Sequence, residues 1–300
     1  MTATMTIRLG TRSSRLALAQ AEEAAVAVAA MLGDGSVEVI EIRTRGDRLS
    51  ERRPVGRLVV GDGQFTGELE EALLDGRIDV AVHSLKDLPT LSQPRLRLGA
   101  ILERGDPRDC LLSRHRGGLD NLPFGASIGT GSVRRAAQLA AVRLDLVARP
   151  IRGNVDTRLH RLEAGEYDAL VLAAAGLDRL GVEIRADQRL PLEVMLPAPG
   201  QGALALQVRA EDVTVGDALG QLDHTPTRAA VGAERALLRA LGGGCLAPLG
   251  ALGEVSDGQL RLRAAYEGRN GFARVDVTGP ADRRSEVVAE AAARIREATA

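Results

Sequence analysis

The sequence predicts an α/β protein with a small α+β unit at its C-terminal end. Three observations point there. Apolar runs of strand character alternate with helix-like runs through the first two thirds, which implies parallel or mixed sheets covered by helices. The stretch Leu196-Pro-Ala-Pro-Gly-Gln-Gly-Ala203 then interrupts the alternation with closely spaced Pro and Gly. Beyond it, period-2 alternation at 260–266 and 272–277 gives way to an amphipathic run over 283–298.

In chain order, residues 6–9 read as a strand and 16–32 as a helix, with Ser13 or Ser14 as its N-cap. A second strand follows at 37–43. Residues 66–75 form a short helix stopped by Gly76, and 78–82 a buried strand. After Pro94 the spacing predicts a strand at 127–130, a helix at 133–142, a strand at 144–148, a helix at 155–164 and an apolar strand at 168–173. Residues 203–208 form another strand. A helix starts at Thr225-Pro226, where Pro suits the first turn, and ends near Leu241 at three glycines.

Three hundred residues suffice for two or three domains. Aromatics make up only 2% of the chain, so the core is expected to be Ala, Val, Leu and Ile. A net charge of −1 argues against a general nucleic-acid surface. No run approaches the roughly 20 apolar residues of a membrane span. The N-terminal residues lack a basic region followed by a long apolar one, and two cysteines make no disulfide framework, so a cytoplasmic protein is expected.

Lys86 is the only lysine, and it stands beside Asp87 where an apolar run ends. Lysine offers a compact charge with a tunable pKa, which arginine does not. The pair reads either as an active-site pair or as a surface ion pair of small worth. In open α/β sheets ligands bind beyond the carboxyl ends of strands. Three segments fall there: 83–89, 131–135 and 149–158. From Arg134 to Arg161, seven arginines stand against two acids. Two of these clusters open helices, where free N–H groups favour anions, and arginine binds carboxylates bidentately. Arg134, Arg135, Arg152 and Arg158 therefore read as a pocket for a carboxylate-rich small molecule, and Arg143 and Arg161 as a solvated face.

No P-loop, metal-ligand spacing or Gly-x-Ser-x-Gly elbow is present, so no metal is expected. Cys245 follows three glycines; it reads either as a small apolar turn residue or as a nucleophile or attachment point. Cys110 reads as a buried apolar residue.

Nine segments together resemble the porphobilinogen deaminase, or hydroxymethylbilane synthase, family. They are Leu9-Gly-Thr-Arg-Ser-Ser-Arg-Leu-Ala-Leu-Ala-Gln20, Thr44-Arg-Gly-Asp47, Asp79-Val-Ala-Val-His-Ser-Leu-Lys-Asp-Leu-Pro89 and Arg104-Gly-Asp-Pro-Arg-Asp109. Ile128-Gly-Thr-Gly-Ser-Val-Arg-Arg135, Arg152-Gly-Asn-Val-Asp-Thr-Arg-Leu159, Ala173-Ala-Ala-Gly-Leu177, the 196–203 stretch and Gly243-Gly-Cys-Leu-Ala-Pro248 complete the set. Any one is weak; the ordered set, spanning nearly the whole chain, is specific.

The resemblance implies two periplasmic-binding-protein-like lobes with mixed sheets plus a small α+β C-terminal domain. Domain 1 would comprise 1–102 and 197–220, domain 2 103–196, and domain 3 221–300. It implies a cytoplasmic, monomeric transferase of tetrapyrrole (haem) biosynthesis. Four porphobilinogens would be joined head to tail, with loss of ammonia, on a dipyrromethane cofactor held by a thioether to Cys245. Asp87 matches the catalytic aspartate and also a cofactor contact. Lys86, Thr130, Ser132, Arg134 and Arg135 would hold cofactor groups. Arg12, Ser14, Phe65, Arg152, Arg158, Arg179 and Gln201 would meet the substrate. The loop Val60-Gly-Asp-Gly-Gln-Phe65 departs from the family, which often has lysine where Asp62 stands, and Gly131 replaces a common serine. The competing class is a two-lobe sensor of a carboxylate-bearing metabolite, in which Cys245 would have no purpose. An arginine-rich nucleic-acid binder is disfavoured by the neutral charge and scarce aromatics.

Overall fold

The structure is a computed structural model and describes residues 5–43, 66–91, 93–244 and 247–300. Its elements begin with β1 (Thr6–Arg12), α1 (Arg15–Leu32), β2 (Ser36–Ile42), α2 (Gly67–Leu74), β3 (Val80–Ser84) and β4 (Leu96–Ile101). They continue with β5 (Asp109–Ser113), β6 (Ser127–Gly129), α3 (Val133–Val142), β7 (Val147–Arg149), α4 (Val155–Glu163), β8 (Ala169–Ala173) and α5 (Ala174–Arg179). The last are β9 (Leu204–Arg209), α6 (Val213–Gly220), α7 (Thr225–Ala240), β10 (Leu249–Ser256), β11 (Gln259–Gly268), β12 (Gly271–Pro280) and α8 (Arg284–Thr299).

The chain forms two compact units, Met1–Arg104 with Ala203–Arg228 and Gly105–Gly202 with Ala229–Ala300. The first holds a mixed sheet in the order β2-β1-β3-β9-β4, in which β9 runs antiparallel to both neighbours. Parallel pairing of β1 with β2 and β3 brings the carboxyl ends of β1 and β3 to one edge. Helix α1 starts where the Ser14 hydroxyl accepts from the Ala17 N–H. Of its buried stripe Ala17, Gln20, Ala21, Ala24, Val28, the residues Ala21, Ala24 and Val28 pack small side chains against Ile7, Leu9, Val80 and Leu204. On a second cluster, α2 contributes Leu69 and Leu73 against Ile42, Ile78 and Ala81.

The second unit holds the sheet β5-β8-β6-β7 and an antiparallel sheet β10-β11-β12. Alternate residues of β5 and β8 feed two separate cores: Leu111, Ala169 and Val171 join one, and Cys110, Leu112, Leu170 and Leu172 the other. Helices α7 and α8 cover one face of the antiparallel sheet through Leu237, Val287, Ala291 and Ile295 on Leu249, Leu262 and Val277. A two-residue turn joins β10 to β11, with Asp257 at φ 52° and Gly258 at φ 72°, the mirror-image geometry that matches strand twist.

The α/β class and the order of the anticipated elements hold. The strand expected at 144–148 is Val147–Arg149, at the exposed edge of its sheet. Strands β4, β5 and β10 and helices α5 and α6 gave no sequence signal. In β10 the reason is physical. A Cβ on Gly250 would lie 2.8 Å from the Leu196 oxygen, and one on Gly253 would lie 2.7 Å from the Ala230 oxygen. Close approach on each side removes the side chains whose alternation would have marked the strand.

Candidate functional site

In the first unit, β3 ends in a 3₁₀ turn, Leu85–Asp87. Leu85 and Leu88 are buried, the Leu85 N–H donates to the Ala203 oxygen at 3.0 Å, and the Leu88 N–H donates to the Leu85 oxygen at 3.2 Å. These anchors hold Asp87 exposed at the tip, with Lys86 half-buried beside it. On the adjacent parallel strand, Arg12 is the last residue of β1, and Ser14 caps α1 two residues later. Arg12, Ala17, Gln20, Thr66, Val82, His83, Ser84 and Asp87 line a cavity of about 30 Å³, a volume on the scale of one water.

The walls of this cavity carry groups that the sequence did not flag. Gln20 donates from Nε2 to the Ser84 Oγ at 2.8 Å. The His83 ring Nε2 lies 3.0 Å from the Gln207 Oε1, and the Gln207 Nε2 lies 3.1 Å from the Glu70 Oε1. Since the Gln207 amide donates to Glu70, its oxygen faces the imidazole and Nε2 carries the proton. Burial, assisted by the Arg12 charge and opposed by Gln207, lowers the His83 pKa to about 4. His83 is thus a neutral imidazole at neutral pH. A glutamine inside the apolar stripe of α1 was the available sequence signal for this cluster.

A pH dependence of stability follows. Between pH 6.5 and about 4 the unfolded chain protonates this histidine while the folded chain does not. Stability should therefore be full above pH 6.5 and fall by about 3 kcal/mol on descending to pH 4. Urea unfolding across that range is expected to show a shallower slope in His83→Gln. An unchanged slope would mean that another group carries the dependence.

In the second unit, Thr130 is buried beyond the end of β6, and Ser132 caps α3 by accepting from the Arg135 N–H at 3.4 Å. Arg134 and Arg135 follow. Neither is a solvated fork: they are only 4% and 7% exposed. Both grip Asp109, the first residue of β5, which is fully buried. Arg134 donates from Nη1 to Asp109 Oδ2 at 2.7 Å and to the Leu196 oxygen at 2.6 Å. Arg135 donates from Nη2 to Asp109 Oδ1 at 2.7 Å and from Nη1 to the Val171 oxygen at 2.9 Å. Burial alone would push the Asp109 carboxyl up, but the two guanidiniums hold it well below the usual carboxylate range.

Gln201, also buried, donates from Nε2 to Asp109 Oδ1 at 2.9 Å and to the Pro107 oxygen at 2.8 Å. Arg179 donates to the Gly202 oxygen at 3.2 Å, and Arg158 to the Gly153 oxygen at 2.8 Å through Nε. Arg152 is exposed after β7, in the turn before α4. Cys110 is buried, which pushes its thiol up to about 12, as an inert core cysteine requires. Asp109 escaped the sequence reading although it closes the segment Arg104–Asp109, because nothing in the spacing reveals that two arginines 25 and 26 residues on converge on it.

The structure therefore groups Arg12, Ser14, Lys86 and Asp87 at one sheet edge. It places Thr130, Ser132, Arg134, Arg135, Arg152, Arg158, Arg179 and Gln201 in the other unit. Phe65, Asp62 and Cys245 lie outside the described residues. Among the described residues no group of His, Cys, Asp and Glu is arranged to hold a metal, and no helix is long and apolar enough to cross a membrane.

Comparison with known proteins bears on the same segments. Residues 7–217 match the family model described as porphobilinogen deaminase, dipyromethane cofactor binding domain, and residues 229–297 match porphobilinogen deaminase, C-terminal domain. The porphobilinogen deaminase of Desulforudis audaxviator is 50% identical over 92% of this chain and 89% of its own. That of Acidothermus cellulolyticus is 50% identical over 94% of this chain and 86% of its own. Among solved structures, a putative methionine-binding lipoprotein from Bacillus subtilis covers 72% of this chain and 89% of its own with a TM-score of 0.45 at 14% identity. The two family models take in both the Asp87 turn and the buried arginine pair, and with half of its residues shared with such relatives, the chain belongs to the porphobilinogen deaminase family.

Proposed function

We propose that this chain carries out its family's reaction with Asp87 as the catalytic carboxylate and Cys245 as the attachment point of the primer. The reaction joins four porphobilinogen molecules head to tail, with loss of ammonia, into hydroxymethylbilane. The observation that carries the site assignment is the placement of Asp87 and Arg12 on one polar cavity at the carboxyl ends of β1 and β3.

The chemistry assigns each residue a task. As the substrate's C–N bond breaks, the electron pair leaves with ammonia and the pyrrole ring is left cationic. A carboxylate fixed beside that ring stabilises the charge as it develops. After the new C–C bond forms, the same carboxylate accepts the proton displaced from the attacking pyrrole carbon. Each substrate brings an acetate and a propionate, for which Arg12, Arg152, Arg158 and Arg179 are the cationic anchors, with Ser14, Phe65 and Gln201 as further contacts. Because His83 stays neutral, it adds no charge that would oppose the cation.

The dipyrromethane group of this family fits the residues present. Arg134 and Arg135 each bury an Nε–H that has no acceptor among the described residues, and a carboxylate would supply one. Lys86, Asp87, Thr130 and Ser132 complete the proposed set. When bound, the group supplies the pyrrole carbon to which the first substrate is joined.

The three sheets support a division into three domains, 1–102 with 197–220, 103–196 and 221–300. The same reading makes the chain a cytoplasmic monomer, in whose reducing surroundings Cys245 stays available for the thioether.

Intact mass of the denatured protein, with peptide mapping around Cys245, tests this reading. An added mass of two linked pyrroles, absent in Cys245→Ala, is expected. If the mass is unmodified, incubation with porphobilinogen should install the adduct; a chain that still gains none is not a working member of the family.

A further inference from the structure

We propose that Asp109 is the positioning residue of the primer-binding arginines. It fixes which edge of each guanidinium meets the ligand and leaves one positive charge for the ligand to neutralise. The inference rests on the reading of Arg134 and Arg135 as primer contacts.

Three facts carry it. First, Asp109 takes the Nη sides of both side chains, at 2.7 Å each, while backbone oxygens of Leu196 and Val171 take further Nη hydrogens. The Nε–H groups, both buried, are left without an acceptor among the described residues. A buried donor without an acceptor is destabilising, so two such donors on one cluster call for an acceptor. Second, two guanidiniums face one carboxylate, so the cluster holds a net positive charge in a place with almost no solvent. Buried ion clusters are commonly less stable than apolar packing of the same volume, so this one is poorly explained as a stabilising device. An anionic ligand answers both deficits at once. Third, Gln201 donates to the same Oδ1 that Arg135 uses, and Arg134 holds the Leu196 oxygen. Asp109 and Arg134 together thereby hold both ends of the 196–201 segment, Asp109 through Gln201 and Arg134 through Leu196.

The test compares wild-type, Asp109→Asn and Asp109→Glu apoproteins incubated with porphobilinogen, following the adduct by intact mass per folded molecule, with folding checked by circular dichroism. Asparagine keeps the size of the side chain but gives up the charge that holds both Nη edges. Positioning predicts that Asp109→Asn acquires the adduct at least tenfold more slowly and gains less in Tm on loading than wild type. Asp109→Glu, which keeps the charge one methylene out of place, should fall between. A purely structural role lowers the Tm of the apoprotein and leaves the loading rate per folded molecule unchanged. A pure charge-balancing role makes Asp109→Asn load faster, since the pocket becomes more positive. Either result overturns the proposal. If Asp109→Asn does not fold, Asp109→Glu decides: loading at the wild-type rate overturns the proposal, and a slowed rate supports it. Failure of the underlying reading looks different, because the wild-type apoprotein itself would then gain no mass.

Discussion

Asp87→Asn is expected to lower kcat by about 10²- to 10³-fold while leaving KM for porphobilinogen within a few-fold of wild type. The asymmetry follows from where the residue sits. Asp87 is exposed at the tip of the turn and is held there by the buried Leu85 and Leu88, so removing its charge disturbs no core. The substrate's carboxylates are assigned to the arginines, so ground-state binding survives the substitution. What is lost is stabilisation of a cation that exists only after ammonia has begun to leave, and a loss confined to the transition state appears in kcat. Asp87→Glu should recover part of the rate, because charge is restored with a displacement of one methylene. The measurement is steady-state kinetics on primer-loaded enzyme, with stepwise mass gain counting the units added. An Asn variant within threefold of wild type would remove Asp87 from the chemistry.

Asp109→Ala is expected to destabilise the protein by about 3–5 kcal/mol in urea unfolding at pH 7, the cost of leaving buried charges without their partner. Two guanidiniums and the Gln201 amide would lose their common acceptor in one step. The triple replacement Asp109→Leu, Arg134→Met and Arg135→Leu should bring stability back to near wild type or above it, since apolar packing of similar volume needs no desolvated charges. It should also be unable to load the primer. Stability restored with loading lost would separate what the cluster does for the fold from what it does for the ligand. A mild effect of Asp109→Ala alone would mean that water reaches the arginines. At low pH the direction is set by the depressed Asp109 carboxyl: its contribution is present above about pH 4 and is lost as the pH falls toward its folded value.

Much of this protein was legible before folding was considered. Residue periodicity marked β1, α1, α3 and α8, because each buries one continuous face whose spacing survives in the sequence, and β8 stood out as an unbroken apolar run because it is buried on both faces. The lone Lys86 beside Asp87 marked the carboxyl end of β3, and the ordered motifs led to a family that the comparisons establish. Elements with interrupted faces were silent. β10 lacks side chains where its neighbours press in, and β4 contains a bulge at Gly99, where the register with β9 shifts.

The candidate site divides along the same line. Residue types and their place after strands are local properties, so Asp87, Arg134 and Arg135 stood out as chemically loaded positions from the sequence, whereas Arg12 entered only through the family resemblance. Which of them are solvated and which are buried depends on partners far away in the chain. Arg134 and Arg135 looked like open forks at a helix start, and only the fold brought Asp109 between them. His83 looked like one of four scattered histidines, and only the pairing of β3 with β9 set Gln207 beside it, with Glu70 of α2 behind Gln207. Charge state and donor direction follow from desolvation and from long-range pairing, and both come into being only when the sheets close.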